Sequence, residues 1–287
     1  MKHRSTLSKT YTFWIGSLFA MGALFSCKKS NNDTSKPAPP NNIRVVTTAK
    51  YGKILTDSAG VTLYFFSNDP NGTSTCTGGC ATSWPAYYKA NPTLDTGLNS
   101  TDLSSFTRSD GPQQLSYKGW PLYYYAPDSS VAGNIKGEGV GGVWFVAKPD
   151  YSVMLAKTQL VGNDGISYDS TYKAATGKTL YLTDDYGRTL YAFSPDKFKK
   201  NNFTKSDFSN DPTWPIYQVS AQSVPSTIDH SLFDTVHVFG KVQLTFKGWP
   251  MYYFGTDNKQ RGSTKGVSVP TPGFWPVMNQ FKATAPL

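Results

Sequence analysis

Four short apolar runs set the pattern of the chain: Leu63 to Phe66, Leu122 to Tyr125, Leu190 to Phe193 and Met251 to Phe254. Alternate side chains of a strand face opposite sides, so Tyr64 and Phe66 share one face while Leu63 and Phe65 share the other. Both faces are apolar, as in strands buried within a packed interior. Each run follows a turn signal. For the first and third runs it is Asp57-Ser58-Ala59-Gly60 and Asp184-Asp185-Tyr186-Gly187; for the second and fourth it is Lys-Gly-Trp-Pro at Lys118 and Lys247. Each unit therefore predicts a β-hairpin. Aromatic and β-branched runs punctuated by Gly, Pro, Asn and Asp, with no long amphipathic helical period, predict an all-β protein.

The chain repeats itself at two levels. Leu55-Thr56-Asp57 through Tyr64 matches Leu182-Thr183-Asp184 through Tyr191, Lys118 through Tyr123 matches Lys247 through Tyr252, and Trp84-Pro85 and Trp144 match Trp214-Pro215 and Trp275. The order is the same in both halves. Residues 43–158 and 159–287 are expected to form two tandem small β domains, each a sandwich or barrel made of two related hairpin units. A propeller is the rival, but the motif spacing is wider than the roughly 40 to 50 residues of familiar blades. Within each half a smaller pattern recurs: Tyr, any residue, an aromatic, two residues, Asp. Its copies are Tyr64-Phe66-Asp69, Tyr123-Tyr125-Asp128, Tyr191-Phe193-Asp196 and Tyr252-Phe254-Asp257.

These residues resemble the secreted-repeat lipoproteins with a Yx(FWY)xxD motif, a bacterial family of unassigned function. The resemblance covers essentially everything after Asn42 and implies location and architecture, but no reaction. One departure stands out. The second repeat has no cysteines, and Asn210 stands where Cys80 would fall when Trp84 is aligned with Trp214.

The amino terminus fits that resemblance. Lys2, Arg4 and Lys9 precede an apolar run from Tyr11 to Phe25, which ends in Leu24-Phe25-Ser26-Cys27. Residues 1–27 thus have the layout of a secretory signal with a lipobox, at which Cys27 would be cut free and acylated. The run is shorter than the roughly 20 residues a spanning helix needs. Residues 28–42, rich in Lys, Asn, Ser and Pro, are expected to be a flexible tether. The location expected is the bacterial cell envelope, with the membrane as a partner through the anchor.

Composition narrows the chemistry. The formal net charge is +9, of which the signal carries Lys2, Arg4 and Lys9. The remaining bias is mild, and the cluster Lys197, Lys199, Lys200 and Lys205 fits a solvated surface better than a nucleic-acid site, so no nucleic-acid partner is expected. Once Cys27 is set aside, Cys76 and Cys80 are an even pair in an oxidising compartment and are expected to form a disulfide. No second Cys pair or nearby His completes a zinc site, and no haem attachment sequence exists, so neither a metal nor any other cofactor is expected.

For the motif, each Asp falls where its strand should end, placing its carboxylate to accept backbone N–H groups and fix a turn. Four symmetric copies suit a scaffold or a binding surface better than catalysis, which needs groups in different roles. The leading expectation is a non-catalytic envelope protein that binds or braces a partner, protein or glycan. A second is sugar or small-ligand binding through exposed tryptophans at Trp120 and Trp249, against the favoured alternative that each Trp-Pro pair packs the end of its hairpin. A third is a hydrolase or metal-dependent enzyme using His230 and His237 with Asp229, Ser231 and Asp234, although no Gly-x-Ser-x-Gly turn is present.

Overall fold

The computed structural model describes residues 42–287. Cys27, the residues ahead of it and the tether up to residue 41 lie outside the described residues.

The first half contains β1 (Ile43–Thr48), β2 (Gly52–Asp57), β3 (Tyr64–Phe66), a short helix α1 (Gly79–Ser83), β4 (Leu103–Thr107), β5 (Gln113–Tyr117), β6 (Trp120–Pro121) and β7 (Trp144–Val146). The second contains β8 (Met154–Val161), β9 (Ser167–Tyr168), β10 (Lys178–Thr183), β11 (Phe233–Val238), β12 (Lys241–Phe246) and β13 (Trp249–Pro250). All pairing between these strands is antiparallel and stays within one half: β1-β2, β3-β7 and β4-β5-β6, then β10-β8-β9 and β11-β12-β13. The protein is therefore all-β, with small sheets that recur in tandem.

The turn signals fall where they are needed. Asp57 and Asp184 each close a tight turn, their Oδ1 atoms accepting the N–H of Ala59 and Val61 in one case and of Tyr186 and Arg188 in the other. The Lys118-Gly119 and Lys247-Gly248 pairs join β5 to β6 and β12 to β13 with φ of 48° and 75°, and 49° and 78°. Two successive positive φ values define the hairpin turn whose twist matches the strands, and its second residue is best served by glycine. The Trp-Pro pair then lies on a sheet edge, where a residue without an N–H is tolerated.

The motif runs are buried on both faces, as their pattern predicts. Tyr64 and Phe66 pack with Trp84, Tyr123 and Trp144; Leu63 enters a second cluster with Ile43, Leu55 and Leu122; Phe65 enters a third. That third cluster is the largest and joins Phe65, Trp120, Phe145 and Tyr151 of the first half to the core of the second. Residues 42–287 accordingly pack as one unit, and the position expected for a domain boundary, residue 158, lies inside β8. No helix among the described residues is long and apolar enough to cross a membrane.

Candidate functional site

The motif residues converge in pairs. The backbones of Tyr64 and Tyr123 exchange two hydrogen bonds, of 2.8 and 2.9 Å, and those of Tyr191 and Tyr252 do the same at 2.8 and 3.0 Å. Each such bridge sets two motif copies side by side and antiparallel. The side chains then cross over. Tyr64 donates its hydroxyl to Asp128 Oδ2 at 2.6 Å and Tyr123 to Asp69 Oδ2 at 2.5 Å; Tyr191 donates to Asp257 Oδ2 at 2.6 Å and Tyr252 to Asp196 Oδ2 at 2.7 Å. No motif tyrosine bonds the aspartate of its own copy.

The other carboxylate oxygen holds the loop beyond the strand. Asp69 Oδ1 accepts the N–H and hydroxyl of Thr75, and Asp196 Oδ1 accepts the N–H of Asn202. Asp128 Oδ1 accepts from the N–H of Lys136, and Asp257 Oδ1 from the N–H of Lys265 and the hydroxyl of Ser263. All four tyrosines and all four aspartates are buried. Burial holds the four tyrosines above their ordinary range, with the neighbouring carboxylate adding to the effect. It likewise pushes Asp69 up to about 6, Asp196 up to about 7, and Asp257 upward.

The aromatic residue of each motif ends a four-ring stack. In the first half the order is Phe66, Trp144, Trp84, Tyr125, with centroid spacings of 4.0, 3.8 and 4.1 Å. In the second it is Phe193, Trp275, Trp214, Phe254, at 4.4, 3.7 and 4.3 Å. The motif tyrosines meet these indoles edge to face. A further shared feature follows the second Asp of each pair. A Cβ at Gly137 would lie 2.8 Å from the Tyr64 ring and 2.9 Å from Trp84, and one at Gly266 would lie 2.7 Å from Tyr191 and 2.8 Å from Trp214. The repeated Lys136-Gly137 and Lys265-Gly266 dipeptides are the sequence signal for this contact.

The halves differ around the first Asp of each pair. Cys76 and Cys80 form a disulfide, Cα to Cα 5.2 Å, which closes the turn ahead of Trp84. Buried Arg108 lies beside it, donating to Ser74, Gln114, the Cys76 carbonyl and Asp110, and its charge also lowers Asp69 somewhat against the effect of burial. In the second half Asn210, at the position of Cys80, donates from Nδ2 to the Phe203 carbonyl at 2.7 Å, and Asn201 reaches Gln243 where Arg108 reaches Gln114. A side-chain hydrogen bond closes the turn that a covalent bond closes in the first half.

Two expected sites take a different form. Trp120 and Trp249 follow the packing alternative and not ligand contact: they are 2 % and 7 % exposed. Each turns its indole N–H inward, Trp120 to the Asp185 carbonyl at 3.0 Å and Trp249 to the Ala283 carbonyl at 2.8 Å. Trp120 thus seals the join between the halves, and the carboxy-terminal segment covers Trp249 in the same way. His230 and His237 are both exposed, one in the turn before β11 and the other within that strand. Their acidic neighbours are engaged elsewhere: Asp229 caps the turn through the Ser231 N–H, and Asp234 pairs with Lys199. Among the described residues no group of three or more His, Cys, Asp or Glu is placed to hold a metal ion.

Comparison with known proteins gives one match. Residues 45–87 and 104–148 each match the family model described as a secreted repeat of unknown function. Each matched segment contains one motif copy, Tyr64 to Asp69 and Tyr123 to Asp128, so the family's repeat is the smaller unit and two of them build one half of the chain. No curated protein and no solved structure matches. The chain thus carries a secreted repeat of unassigned function twice within its first half, which marks it as exported.

Proposed function

We propose that this is a lipid-anchored, non-catalytic protein of the bacterial cell envelope, held by acylated Cys27 and the tether of residues 28–42. In this reading its motif copies build a rigid support, and its surface does the binding. One observation carries the reading: each motif tyrosine gives its hydroxyl to the aspartate of the paired copy inside the core. Groups that saturate one another under burial have no donor or acceptor left for a substrate, whereas a satisfied polar network fixes a unique packing. Rigidity of that kind suits presentation of a surface clear of lipid headgroups at the end of a tether.

Mass spectrometry of the mature amino terminus tests the anchor. The expected result is a chain that begins at Cys27 and carries diacylglycerol. An unmodified terminus at another residue would remove the anchor from the account.

A further inference from the structure

Two grooves meet at Arg188 and Lys259. One, of about 740 Å³, runs through the second half past Pro215, Ile216, Tyr217 and Tyr253, with exposed Gln218 and Asn258 in its lining. The other, of about 420 Å³, lies between the halves and is lined by Thr101, Ser104, Lys118 and Tyr186.

Arg188 is where the second half departs from the repeat. The matching turn of the first half runs from Asp57 through Gly60 to Val61, which is buried. Arg188 bonds Asp184 through Nε, its guanidinium lies 4.8 Å over the Tyr253 ring, and its side chain is 29 % exposed. Its terminal nitrogens make no hydrogen bond among the described residues. Lys259 is exposed and likewise makes no ion pair there. The nearby carboxylates already have partners: Asp184 with Arg188 and Tyr253, Asp185 with Lys118, Asp102 with Tyr186, and Asp257 with Tyr191, Ser263 and the Lys265 N–H. Arg261 adds a buried positive charge whose hydrogen bonds go to the Lys118 and Tyr186 carbonyls, not to a carboxylate. Arg188 and Lys259 therefore present N–H donors that no protein group uses, beside an apolar wall.

We infer that this joined cleft binds an anionic sugar chain, its carboxylate or sulfate groups held by Arg188 and Lys259 and its rings lying along Tyr253 and Pro215. A concave, mostly apolar site with a few convergent polar groups is the usual form of a ligand pocket. The guanidinium fork matches planar or tetrahedral oxyanions, and the amides of Gln218 and Asn258 suit hydroxyls. An acidic peptide is the weaker fit, because peptide recognition draws on main-chain donors and Pro212 and Pro215 offer none. The inference rests on the proposed binding role and supplies its ligand class.

Titration calorimetry of the purified mature chain tests it, with an oligogalacturonate, a sulfated dextran oligosaccharide, a neutral cello-oligosaccharide and a polyglutamate of matched charge. At least one anionic sugar should bind, at least tenfold more tightly than the neutral sugar or the peptide, and its affinity should fall as salt rises. Arg188→Val and Lys259→Gln should each weaken it about tenfold or more. The first should fold, since it restores the residue of the first half and leaves Asp184 the same partners that Asp57 has; should it unfold, Lys259→Gln alone decides. No binding of either anionic sugar, equal binding of the neutral sugar or the peptide, or unchanged affinity in the folded variants would overturn the inference. That failure would leave the anchor untouched, because mass spectrometry of Cys27 reads it separately.

Discussion

The two halves solve one packing problem with different chemistry around the same frame. In the first, Asp69 is held by two groups of Thr75 and by Tyr123, with Arg108 nearby and a disulfide closing the turn. In the second, Asp196 has the Asn202 N–H and Tyr252 alone, and the turn is closed by Asn210. What survives in both is the crossed tyrosine–aspartate pairing and the four-ring stack. Those shared features are the architecture, and the disulfide and Arg108 are local reinforcement.

The largest effect should come from the stack. Trp144→Ala and Trp275→Ala each remove a buried indole sandwiched between two rings, and each should cost about 3–5 kcal/mol in denaturant melts. Similar losses in both halves are expected; a tolerant half would mean that its stack is not part of the common frame.

Next come the aspartates. At a pH of about 4, where their stabilisation is present, Asp69→Ala and Asp196→Ala should each cost about 1–3 kcal/mol, the range for leaving buried hydrogen-bond donors without a partner. Asn should recover part of this, because it keeps an acceptor for the loop N–H. Melting curves that do not move for either substitution would break the comparison at its centre.

Replacing both Cys76 and Cys80 with Ser should have a smaller effect. The closed loop is far shorter than the 15-residue loop for which chain entropy gives about 3 kcal/mol, so the loss should fall below that. The first half should stay folded, as the second does without cysteines. Unfolding of the variant would mean that the disulfide is structural in a way Asn210 does not replace.

A pH dependence sharpens the contrast. Burial raises Asp69 to about 6 and Asp196 to about 7, against an ordinary 3.8. A raised carboxyl value means that the folded chain binds the proton more tightly than the unfolded one. The stabilisation from these groups is then fully present below about pH 3.8 and is lost as pH rises, through about 6 for Asp69 and about 7 for Asp196. Thermal melts compared with the Asp69→Asn and Asp196→Asn variants should show the second variant removing the part of this slope at higher pH. A contribution that grows with pH would reverse the sign and contradict the burial argument.

Much of this frame was legible in the sequence. Two-faced apolar runs announced buried strands, Asp57-to-Gly60 and Lys118-Gly119 announced turns, and two cysteines in an exported chain announced a disulfide. The motif aspartates stood where a strand should end. What the spacing did not disclose is which tyrosine meets which aspartate, because that partnership is set by two antiparallel copies crossing and not by distance along the chain. What covers Trp120 and Trp249 was hidden for a related reason: Asp185 and Ala283 come from distant segments that no local pattern marks. Lys136-Gly137 and Lys265-Gly266 carried a repeat signal, but its meaning needed the rings it packs against.

The crossed pairing is the central claim, and double-mutant cycles on Tyr→Phe and Asp→Asn test it most directly. Tyr64 should couple to Asp128, and Tyr191 to Asp257, by about 0.5–3 kcal/mol, the range for residues in direct contact. Tyr64 with Asp69 and Tyr191 with Asp196, each within one motif copy, should be additive to within about 0.5 kcal/mol. Coupling within a copy and additivity across the pair would contradict the account.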